Sequence, residues 1–375
     1  MVDQILQTNP GRAYAARRDE IDAAVRRVCE SGRYILGDEV AAFEQEFGHY
    51  IGTPACVGVA NGTDALQLAL RTFGIGPGDA VITAANTAVA TVAAIELACA
   101  RPVLCDVETS TLTLCPEDVR RVLDTELGAG VRAIIPVHLY GQPANIFELM
   151  GIARKRSLMI IEDCAQAHGA EIDGRKVGTF GDAAAFSFYP TKNLAAFGDA
   201  GALLTKETSA GIRARELRVY GWRERYISES AGMNTRLDEI QAAILRVRLR
   251  DLAAENARRR EVAAIYDRRL AELELRLPSP PSGRQHVYHQ YVIRTDGRDS
   301  LREHLRDRGI ETAILYPVPI HEQPAYRERQ LTNVPLPVSE AASRELLCLP
   351  MSPWLRDDEA DRVCDVICEW SVAAR

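Results

Sequence analysis

Continuous apolar runs alternate with amphipathic helical stripes along the first two hundred residues of the chain. Seven of these runs have the length of a single strand and cover residues 55–60, 80–84, 101–107, 131–139, 158–163, 183–188 and 201–205. Within a run the apolar residues follow one another without alternation, which is typical of strands covered on both faces. Helical spacing of apolar residues predicts helices over residues 19–29, 38–47, 64–73, 88–99, 116–127 and 145–156. Strands that alternate with helices predict an α/β protein with a doubly wound, mostly parallel sheet.

The last third of the chain follows a different pattern. A long helix is predicted over residues 238–270, with Arg and Glu on its polar face, and we expect it to bridge two lobes. Because 375 residues exceed one typical domain, we expect a large α/β domain over residues 1–250 and a smaller α+β domain over residues 251–375. After a proline-rich break at residues 277–283, the elements predicted are a strand at 286–294, a helix at 300–308, a short strand at 313–316 and C-terminal helices.

Composition argues against several classes of protein. The net charge of −7 and the pI near 5.7 argue against nucleic-acid binding through phosphate contacts. Nine scattered cysteines contain no C-x-x-C pair, which predicts reduced thiols in a cytoplasmic protein, without disulfides or a metal site. The N-terminal stretch lacks the charged flank and apolar core of a secretory signal. The most apolar window, residues 81–100, is interrupted by Asn86 and Glu96, so we expect no membrane span and no membrane partner.

Lysine is rare in this chain. Only four lysines, at positions 155, 176, 192 and 206, occur among the 45 Lys and Arg residues. A guanidinium group stays protonated in proteins, whereas an amine can lose its proton and attack a carbonyl carbon. Lys192 lies between an apolar run and a glycine-rich segment, while the other three lysines lie in contexts typical of a surface. Lys192 is therefore the candidate nucleophile.

Three motifs directly follow predicted strands, whose carboxyl ends meet at one edge of such a sheet. The first is Gly62 and Thr63, which open a helix after the first strand. Free N–H groups and the helix dipole at that position favour a phosphate. A helix cap formed by Thr63 or Asp64 explains the same residues without a ligand, and from the residues alone both interpretations stay open.

The second motif places Asp163 at the end of the most apolar strand, where a carboxylate needs a cation or several hydrogen-bond donors. A protonated heteroaromatic nitrogen satisfies that need, and Gln166 can donate to another atom of the same ligand. The alternatives are an Asp163 that caps the next turn and a His168 that is structural and hydrogen-bonded rather than facing a ligand.

The third motif is Ser187 followed by Lys192. An anchoring hydroxyl, an imine-forming amine and a carboxylate partner for a ring nitrogen are the set that pyridoxal 5'-phosphate requires. Ser187, Lys192 and Asp163 supply this set at predicted strand ends. The sequence therefore predicts a pyridoxal phosphate site.

A family resemblance supports this prediction. Seven motifs resemble, in chain order, those of the DegT/StrS family of sugar-nucleotide aminotransferases, and they read NGTDAL, PVHLYGQ, EDCAQAHGA, FSFYPTKN, FGDAGALLT, GMNTRLDEIQAA and YPVPIHEQPAY. The resemblance runs from about residue 10 onward and implies the fold type I architecture of pyridoxal phosphate enzymes. Relatives that dehydrate sugars carry His in place of Lys192, so the lysine favours transamination. The second and seventh motifs are most similar to the branch that aminates carbon 3 of dTDP-linked keto-deoxyhexoses.

The resemblance implies a role for each cofactor-binding residue. Lys192 occupies the position of the lysine that carries the cofactor as an imine, and Asp163 and Gln166 match the residues at the pyridine nitrogen and the ring hydroxyl. The phosphate-binding positions are those of Gly62, Thr63 and Ser187.

Asn234 matches a residue that reaches the phosphate from a neighbouring subunit, which implies a homodimer with shared active sites. A turn residue before the long helix explains Asn234 without a partner.

The resemblance also implies the reaction, in which an amino acid, with L-glutamate as the expected donor, gives its amino group to a nucleotide-linked keto sugar. His138, Tyr316 and His321 are candidate substrate contacts, although a structural role explains either histidine equally well. Two alternatives remain: an aminotransferase that acts at carbon 4 of a sugar or on a cyclitol ketone, and a regulatory relative that binds the cofactor or a sugar without turnover.

One position departs from the family pattern. Ala88 stands where relatives carry an aromatic residue that stacks on the cofactor ring. Either another side chain covers the ring or the pocket is opened for a different substrate. The loop at residues 220–226, with Trp222 and Tyr226, is a candidate aromatic surface for a nucleotide diphosphate, or it is a solvated loop.

Overall fold

The computed structural model describes residues 4–373. Residues 1–3, in the predicted large domain, and residues 374–375, in the predicted small domain, lie outside the described part. The strands are β1 (Ala55–Val59), β2 (Ala80–Ala84), β3 (Arg101–Cys105), β4 (Val131–Ile135), β5 (Met159–Asp163), β6 (Glu171–Ile172), β7 (Arg175–Lys176), β8 (Ala183–Ser187), β9 (Gly201–Thr205), β10 (Trp222–Glu224), β11 (Ile227–Ser228), β12 (Arg284–Gln285), β13 (Tyr291–Arg294) and β14 (Leu346–Leu349).

The helices are α1 (Pro10–Ala16), α2 (Arg18–Ser31), α3 (Asp38–Ile51), α4 (Gly62–Thr72), α5 (Val89–Leu97), α6 (Pro116–Leu123), α7 (Ile146–Arg156), α8 (Thr208–Leu217), α9 (Glu239–Leu249), α10 (Leu252–Leu270), α11 (Arg298–Asp307), α12 (Pro337–Glu345) and α13 (Asp357–Ala373). Short 3-10 turns lie at Glu126–Gly128, Leu139–Gly141 and Ile320–Glu322. Among residues 4–373, no helix is long and apolar enough to cross a membrane.

A seven-stranded sheet forms the centre of the large lobe, in the order β1-β9-β8-β5-β4-β2-β3. All neighbouring pairs are parallel except the two that β9 makes with β1 and β8. Helices cover both faces: along β2, Ala80 and Ile82 pack into one core cluster, whereas Val81 packs into the cluster on the opposite face. The predicted doubly wound, mostly parallel sheet is confirmed.

The predicted helix over residues 238–270 is wrong as a single element, because α9 ends at Leu249 and α10 begins at Leu252. At the break, the carboxylate of Asp251 accepts hydrogen bonds from the Arg17 guanidinium, with nitrogen–oxygen distances of 2.6 and 2.8 Å. Arg17 comes from the junction of α1 and α2, so a contact between distant segments lies at the break. Apolar periodicity carries no sign of such a contact.

The small-lobe strands are also shorter than predicted. Only Tyr291–Arg294 of the predicted strand at 286–294 is paired, and its partner is β14, which the pattern did not indicate. The predicted strand at 313–316 is reduced to one isolated bridge between Ala313 and Cys348. In these segments, contacts with the large lobe replace regular strand pairing.

The apolar core clusters coincide with the two predicted domains only in part. The small-lobe core is built mainly from residues 262–367, and Ile5 joins it from the N-terminal segment. Residues 320–336 pack instead against the large lobe, where Ile320 and Leu331 contact Ala85 and Leu104. The domain boundary at residue 250 therefore stays a prediction.

Glu239 ties the start of α9 to the start of α3. Its buried carboxylate accepts three backbone N–H bonds, from Gly37 at 2.7 Å, Glu39 at 2.9 Å and Val40 at 3.0 Å. These N–H groups belong to the first turn of α3, where no intrahelical acceptor exists. A single carboxylate therefore satisfies a helix terminus about two hundred residues away.

We expect Glu239→Ala to lower the free energy of unfolding by ~2–3 kcal/mol, because buried N–H groups lose a charged acceptor. Urea unfolding followed by circular dichroism at fixed protein concentration measures the loss. Glu46→Ala is the control, since Glu46 makes a partly exposed ion pair with Arg246 and its removal costs about 1 kcal/mol. A loss no larger than that of the control contradicts the assignment.

Candidate active site

Residues of the predicted site lie at the carboxyl edge of the central sheet. Asp163 ends β5 and Ser187 ends β8, which is the parallel neighbour of β5. Gly201, the first residue of β9, pairs with Ser187, the last residue of β8. Helix α4 begins beside this pair. Lys192 follows five residues after Ser187. The fold thus brings the three strand-end motifs together.

The start of α4 forms a close cradle with Ser187. A Cβ atom added at Gly62 would lie 2.6 Å from the Ser187 Cβ, so only glycine allows this approach. The side chain that caps α4 belongs to Asn61, whose Oδ1 accepts the Asp64 N–H at 2.8 Å. The capping alternative for Thr63 and Asp64 is therefore wrong. The N–H groups of the first turn and the hydroxyls of Thr63 and Ser187 suit an oxyanion such as phosphate.

Asp163 is buried and holds its carboxylate with two donors. The Thr91 hydroxyl donates to Oδ2 at 2.9 Å, and the Ala165 N–H donates to Oδ1 at 3.1 Å. Burial raises the pKa of the Asp163 carboxyl above its usual range, while these two hydrogen bonds and the Lys192 charge oppose that rise. Sequence analysis missed Thr91, which lies three residues after Ala88, near the start of α5. The sequence signal for Thr91 is its place in the first turn of the helix that follows the loop after β2.

Lys192 is half-buried, and removal of water from around its amine lowers its pKa from 10.5 to about 8. The negative charge of Asp163 acts in the opposite direction and raises the pKa. Among the described residues, however, no ion pair joins the two side chains. The amine and the carboxylate therefore interact through space without contact.

Gln166 is held by one residue from each lobe. Its Oε1 accepts the backbone N–H of Tyr140, with 2.7 Å between the atoms, and its Nε2 donates to the Tyr316 hydroxyl at 3.1 Å. Burial raises the pKa of Tyr316 to about 12, so this hydroxyl stays protonated near neutral pH. Tyr316 thus lies beside a predicted cofactor residue, and its contact with substrate stays a prediction.

His138 has a position that favours the structural alternative, and its contact with substrate stays a prediction. The ring is fully buried, Nδ1 accepts the Ala144 N–H at 3.0 Å, and Nε2 lies 3.0 Å from Glu162 Oε2. Because Nδ1 is an acceptor, Nε2 carries the proton and donates to Glu162. Both ring nitrogens are therefore used within the protein.

The other two histidines considered from the sequence, His168 and His321, differ in exposure. His168 is fully buried beside the rings of Phe186 and Phe188, and burial lowers its pKa to about 3. This favours a structural role for His168. His321 is half-buried, lies 3.3 Å from a carboxylate oxygen of Glu340, and follows Ile320, which is bonded to the loop after β2. A substrate contact by His321 stays a prediction.

Asn234 lies on the exposed surface of the chain. Its neighbour Thr235 is buried, donates to Asp64 Oδ2 at 2.6 Å and accepts the Ala60 N–H at 3.1 Å. The segment is thereby fixed to the first turn of α4, while Asn234 itself stays accessible. Ala88 is half-buried as the residue before α5, and neighbouring Asn86 and Thr87 are buried.

Cofactor-free protein provides a direct measurement of the Lys192 environment. We expect acylation of Lys192 by an amine-selective reagent to rise with pH and to reach half its maximum rate near pH 8, because the neutral amine reacts. Asp163→Asn should move this midpoint lower, since the ammonium loses a stabilising charge. Mass spectrometry of the Lys192 peptide measures the rate.

Thr91→Val is the matched control, because it removes a hydrogen bond to Asp163 and keeps the carboxylate charge. Its midpoint should stay closer to that of the unchanged protein than the Asp163→Asn midpoint does. A midpoint near the ordinary lysine value of 10.5, or an upward shift in Asp163→Asn, would contradict the arrangement.

The chemistry of these groups fits pyridoxal phosphate. The cradle at Gly62 and Ser187 offers donors to a phosphate, and the buried Asp163 carboxylate suits a protonated ring nitrogen. Gln166 presents an amide N–H, and Lys192 presents an amine whose pKa is lowered to about 8. Pyridoxal phosphate is the cofactor of the aminotransferase family that the sequence motifs resemble.

Comparisons with known proteins agree with this chemistry. The chain is 46% identical over 360 residues to a dTDP-3-amino-3,4,6-trideoxy-alpha-D-glucose transaminase of Streptomyces venezuelae, covering 96% of this chain and 94% of the relative. It is 41% identical over 354 residues to a UDP-N-acetyl-3-dehydro-alpha-D-glucosamine 3-aminotransferase of Acidithiobacillus ferrooxidans, covering 94% of each. The solved structure of S. venezuelae DesV in complex with a ketimine intermediate superposes with a TM-score of 0.94 at 45% identity, covering 98% of both chains. The profile of the DegT/DnrJ/EryC1/StrS aminotransferase family matches residues 15–368, and the chain belongs to that family.

Proposed function

We propose that the protein transfers the amino group of an amino acid, with L-glutamate as the donor, to carbon 3 of a dTDP-linked keto-deoxy sugar. The observation that carries the proposal is the meeting of the strand-end motifs at the carboxyl edge of the sheet, where Asp163 and Ser187 end the neighbouring strands β5 and β8 and Gly62 lies against Ser187. The choice of sugar follows the 46% identical relative, which is named a dTDP-sugar transaminase.

The residues divide the work of binding. Gly62, Thr63 and Ser187 would hold the phosphate through the α4 terminus and two hydroxyls, and Asp163 would hold the ring nitrogen in its protonated form. When bound, the cofactor supplies an electron sink for the carbon that carries the amino group. Gln166 donates one amide hydrogen to the Tyr316 hydroxyl and would donate the other at the ring-hydroxyl side.

Lys192 also moves the proton. With a pKa of about 8, roughly a tenth of the amine is neutral at pH 7, so it can act as a general base under these conditions. Lys192 Nζ accepts the proton from the carbon of the donor amino acid and returns a proton to the sugar carbon that gains the amino group. The half-buried position of Lys192 limits the access of water during these transfers.

A homodimer with shared active sites is part of the proposal. Asn234 is exposed, and the β10–β11 hairpin beside it exposes Tyr226 and Ile227 at 71% and 54% of their surface. Exposed apolar residues grouped on one face are typical of a protein interface. In the dimer, Asn234 would donate to the phosphate bound by the other subunit, and the hairpin would lie near the nucleotide. All nine cysteines are free, which supports a reducing, cytoplasmic setting.

A uridine nucleotide is the second candidate, because a 41% identical relative is named a UDP-sugar 3-aminotransferase. Amination at carbon 4 or on a cyclitol ketone has no such specific support. A binding role without turnover is disfavoured, since Lys192, Asp163 and Ser187 are all present and brought together.

Purified protein loaded with pyridoxal phosphate tests the reaction in two halves. We expect L-glutamate alone to convert the cofactor absorbance to the pyridoxamine form, and a dTDP-3-keto-deoxy sugar to convert it back with formation of an amino sugar. Matched dTDP-4-keto and UDP-3-keto sugars should react at least about tenfold more slowly, a difference of about 1.4 kcal/mol in transition-state binding.

Lys192→Ala is the control for the first half, because it keeps the cradle and removes the amine. Faster turnover of the UDP sugar would replace the proposed nucleotide, and failure of every amino donor to convert the absorbance would leave only a binding role.

Mixed dimers test the shared site. Lys192→Ala and Asn234→Asp subunits should each be inactive alone, because one lacks the amine and the other places a carboxylate against a phosphate. Mixing them should restore activity, up to about half per heterodimer, since one of its two sites then has both residues intact. Absence of recovered activity in purified heterodimers would count against a contribution by Asn234 across the interface.

A further inference from the structure

Tyr140 lies in the 3-10 turn after β4, and its N–H binds Gln166 of the second strand-end motif. It is buried, and its backbone φ of 60° falls in the left-handed region. An aromatic residue in that region costs roughly 1 kcal/mol or more, so surrounding contacts must hold it there. Sequence analysis assigned Tyr140 no role beyond its motif.

Contacts from both lobes hold Tyr140. From the large lobe, Gln166 Oε1 accepts the Tyr140 N–H, and from the small lobe the N–H of Gln290 donates to the Tyr140 carbonyl at 3.1 Å. The Tyr140 hydroxyl donates to the carbonyl of Leu315. Next to it, the Gly141 carbonyl accepts the Val287 N–H at 3.1 Å. The turn is thus fixed between the lobes.

The N–H of Tyr140 determines the orientation of the Gln166 side-chain amide. A peptide N–H can only donate, so the oxygen of Gln166 must face Tyr140 and the nitrogen must face away. One hydrogen of Nε2 goes to the Tyr316 hydroxyl, and the second is left for a further acceptor. Gln166 is therefore set as a donor on the cofactor side.

The hydroxyl of Tyr140 acts on the other partner of Gln166. Leu315, whose carbonyl it binds, directly precedes Tyr316. The position of the Tyr316 ring, and with it the second contact of Gln166, follows from this backbone anchor. One buried tyrosine thus sets two polar groups that come from different lobes.

We propose that Tyr140 is a positioning residue for catalysis, holding Gln166 and Tyr316 so that their hydrogen bonds are aimed at the ring-hydroxyl oxygen of the cofactor. The proposal rests on the cofactor part of the proposed function and is independent of the sugar. A donor aimed at that oxygen stabilises its ionised form. Displacement of this donor therefore raises the pH at which the bound cofactor changes its absorbance.

Tyr140→Phe and Tyr266→Phe form a matched pair. Tyr266 is also fully buried and donates its hydroxyl to a backbone carbonyl, that of Pro350 at 2.8 Å, but it lies in the small-lobe core. Both substitutions remove one such hydrogen bond, so each should lower the free energy of unfolding of the cofactor-free protein by ~1 kcal/mol. Stability alone therefore does not distinguish them.

Absorbance of the loaded protein, titrated with pH, distinguishes them. We expect Tyr140→Phe to raise the midpoint by about half a unit or more, and Tyr266→Phe to leave it unchanged. In a Tyr316→Phe background, Tyr140→Phe should add little, because the two act through one chain of contacts. A midpoint unchanged in Tyr140→Phe, with the same stability loss as the control, would reduce Tyr140 to a structural residue.

Hydrogen exchange of the cofactor-free protein tests the same contacts without the cofactor. The segment at residues 313–318 should exchange at least about fivefold faster in Tyr140→Phe and unchanged in Tyr266→Phe. Gln166→Ala should speed exchange of the Tyr140 amide, which tests the N–H contact even if Tyr140→Phe folds poorly. Unchanged exchange at both places would overturn the proposal. None of these readouts requires a sugar, so a wrong substrate assignment leaves them interpretable.

Discussion

A buried carboxylate and a half-buried amine share one edge of the sheet without touching, and the rest of the site depends on this arrangement. Removal from water disfavours the charged forms of both Asp163 and Lys192, since it raises the pKa of the acid and lowers the pKa of the amine to about 8. Direct contact would relieve both costs and would make a simple ion pair. The protein instead supplies Thr91 and Ala165 as donors to Asp163. The amine is thereby left available for chemistry.

The two lobes cooperate in maintaining this state. Asn193, next to Lys192 in the chain, donates to the Val287 carbonyl at 3.0 Å and to Asn256 Oδ1 at 2.9 Å. These bonds fix the chain beside the amine against the small lobe. The turn that contains Tyr140 joins Gln166 to the small-lobe backbone. The interface between the lobes is therefore polar and specific where it borders the site.

Sequence reasoning predicts the parts of this molecule that depend on local pattern. Continuous apolar runs identified the buried strands, and because parallel strands end at one edge, the runs also brought Asp163, Ser187 and Gly62 together. Features set by distant contacts were missed. The break before α10 lies at a contact with Arg17. The anchors of Asp163 and Gln166 are Thr91 and a peptide N–H of Tyr140, and a peptide N–H has no side-chain signature. His138 illustrates the converse, since a histidine within a functional motif is fully used by Ala144 and Glu162.

Chemical trapping of the loaded protein tests most directly that Lys192 is the residue that carries the cofactor. Borohydride reduces a carbon–nitrogen double bond between a lysine and pyridoxal phosphate to a stable link, which mass spectrometry can locate on a peptide. With only four lysines in the chain, each position can be assigned separately. We predict modification at Lys192 and at no other lysine. Modification at Lys155, Lys176 or Lys206 in place of Lys192 would contradict this prediction.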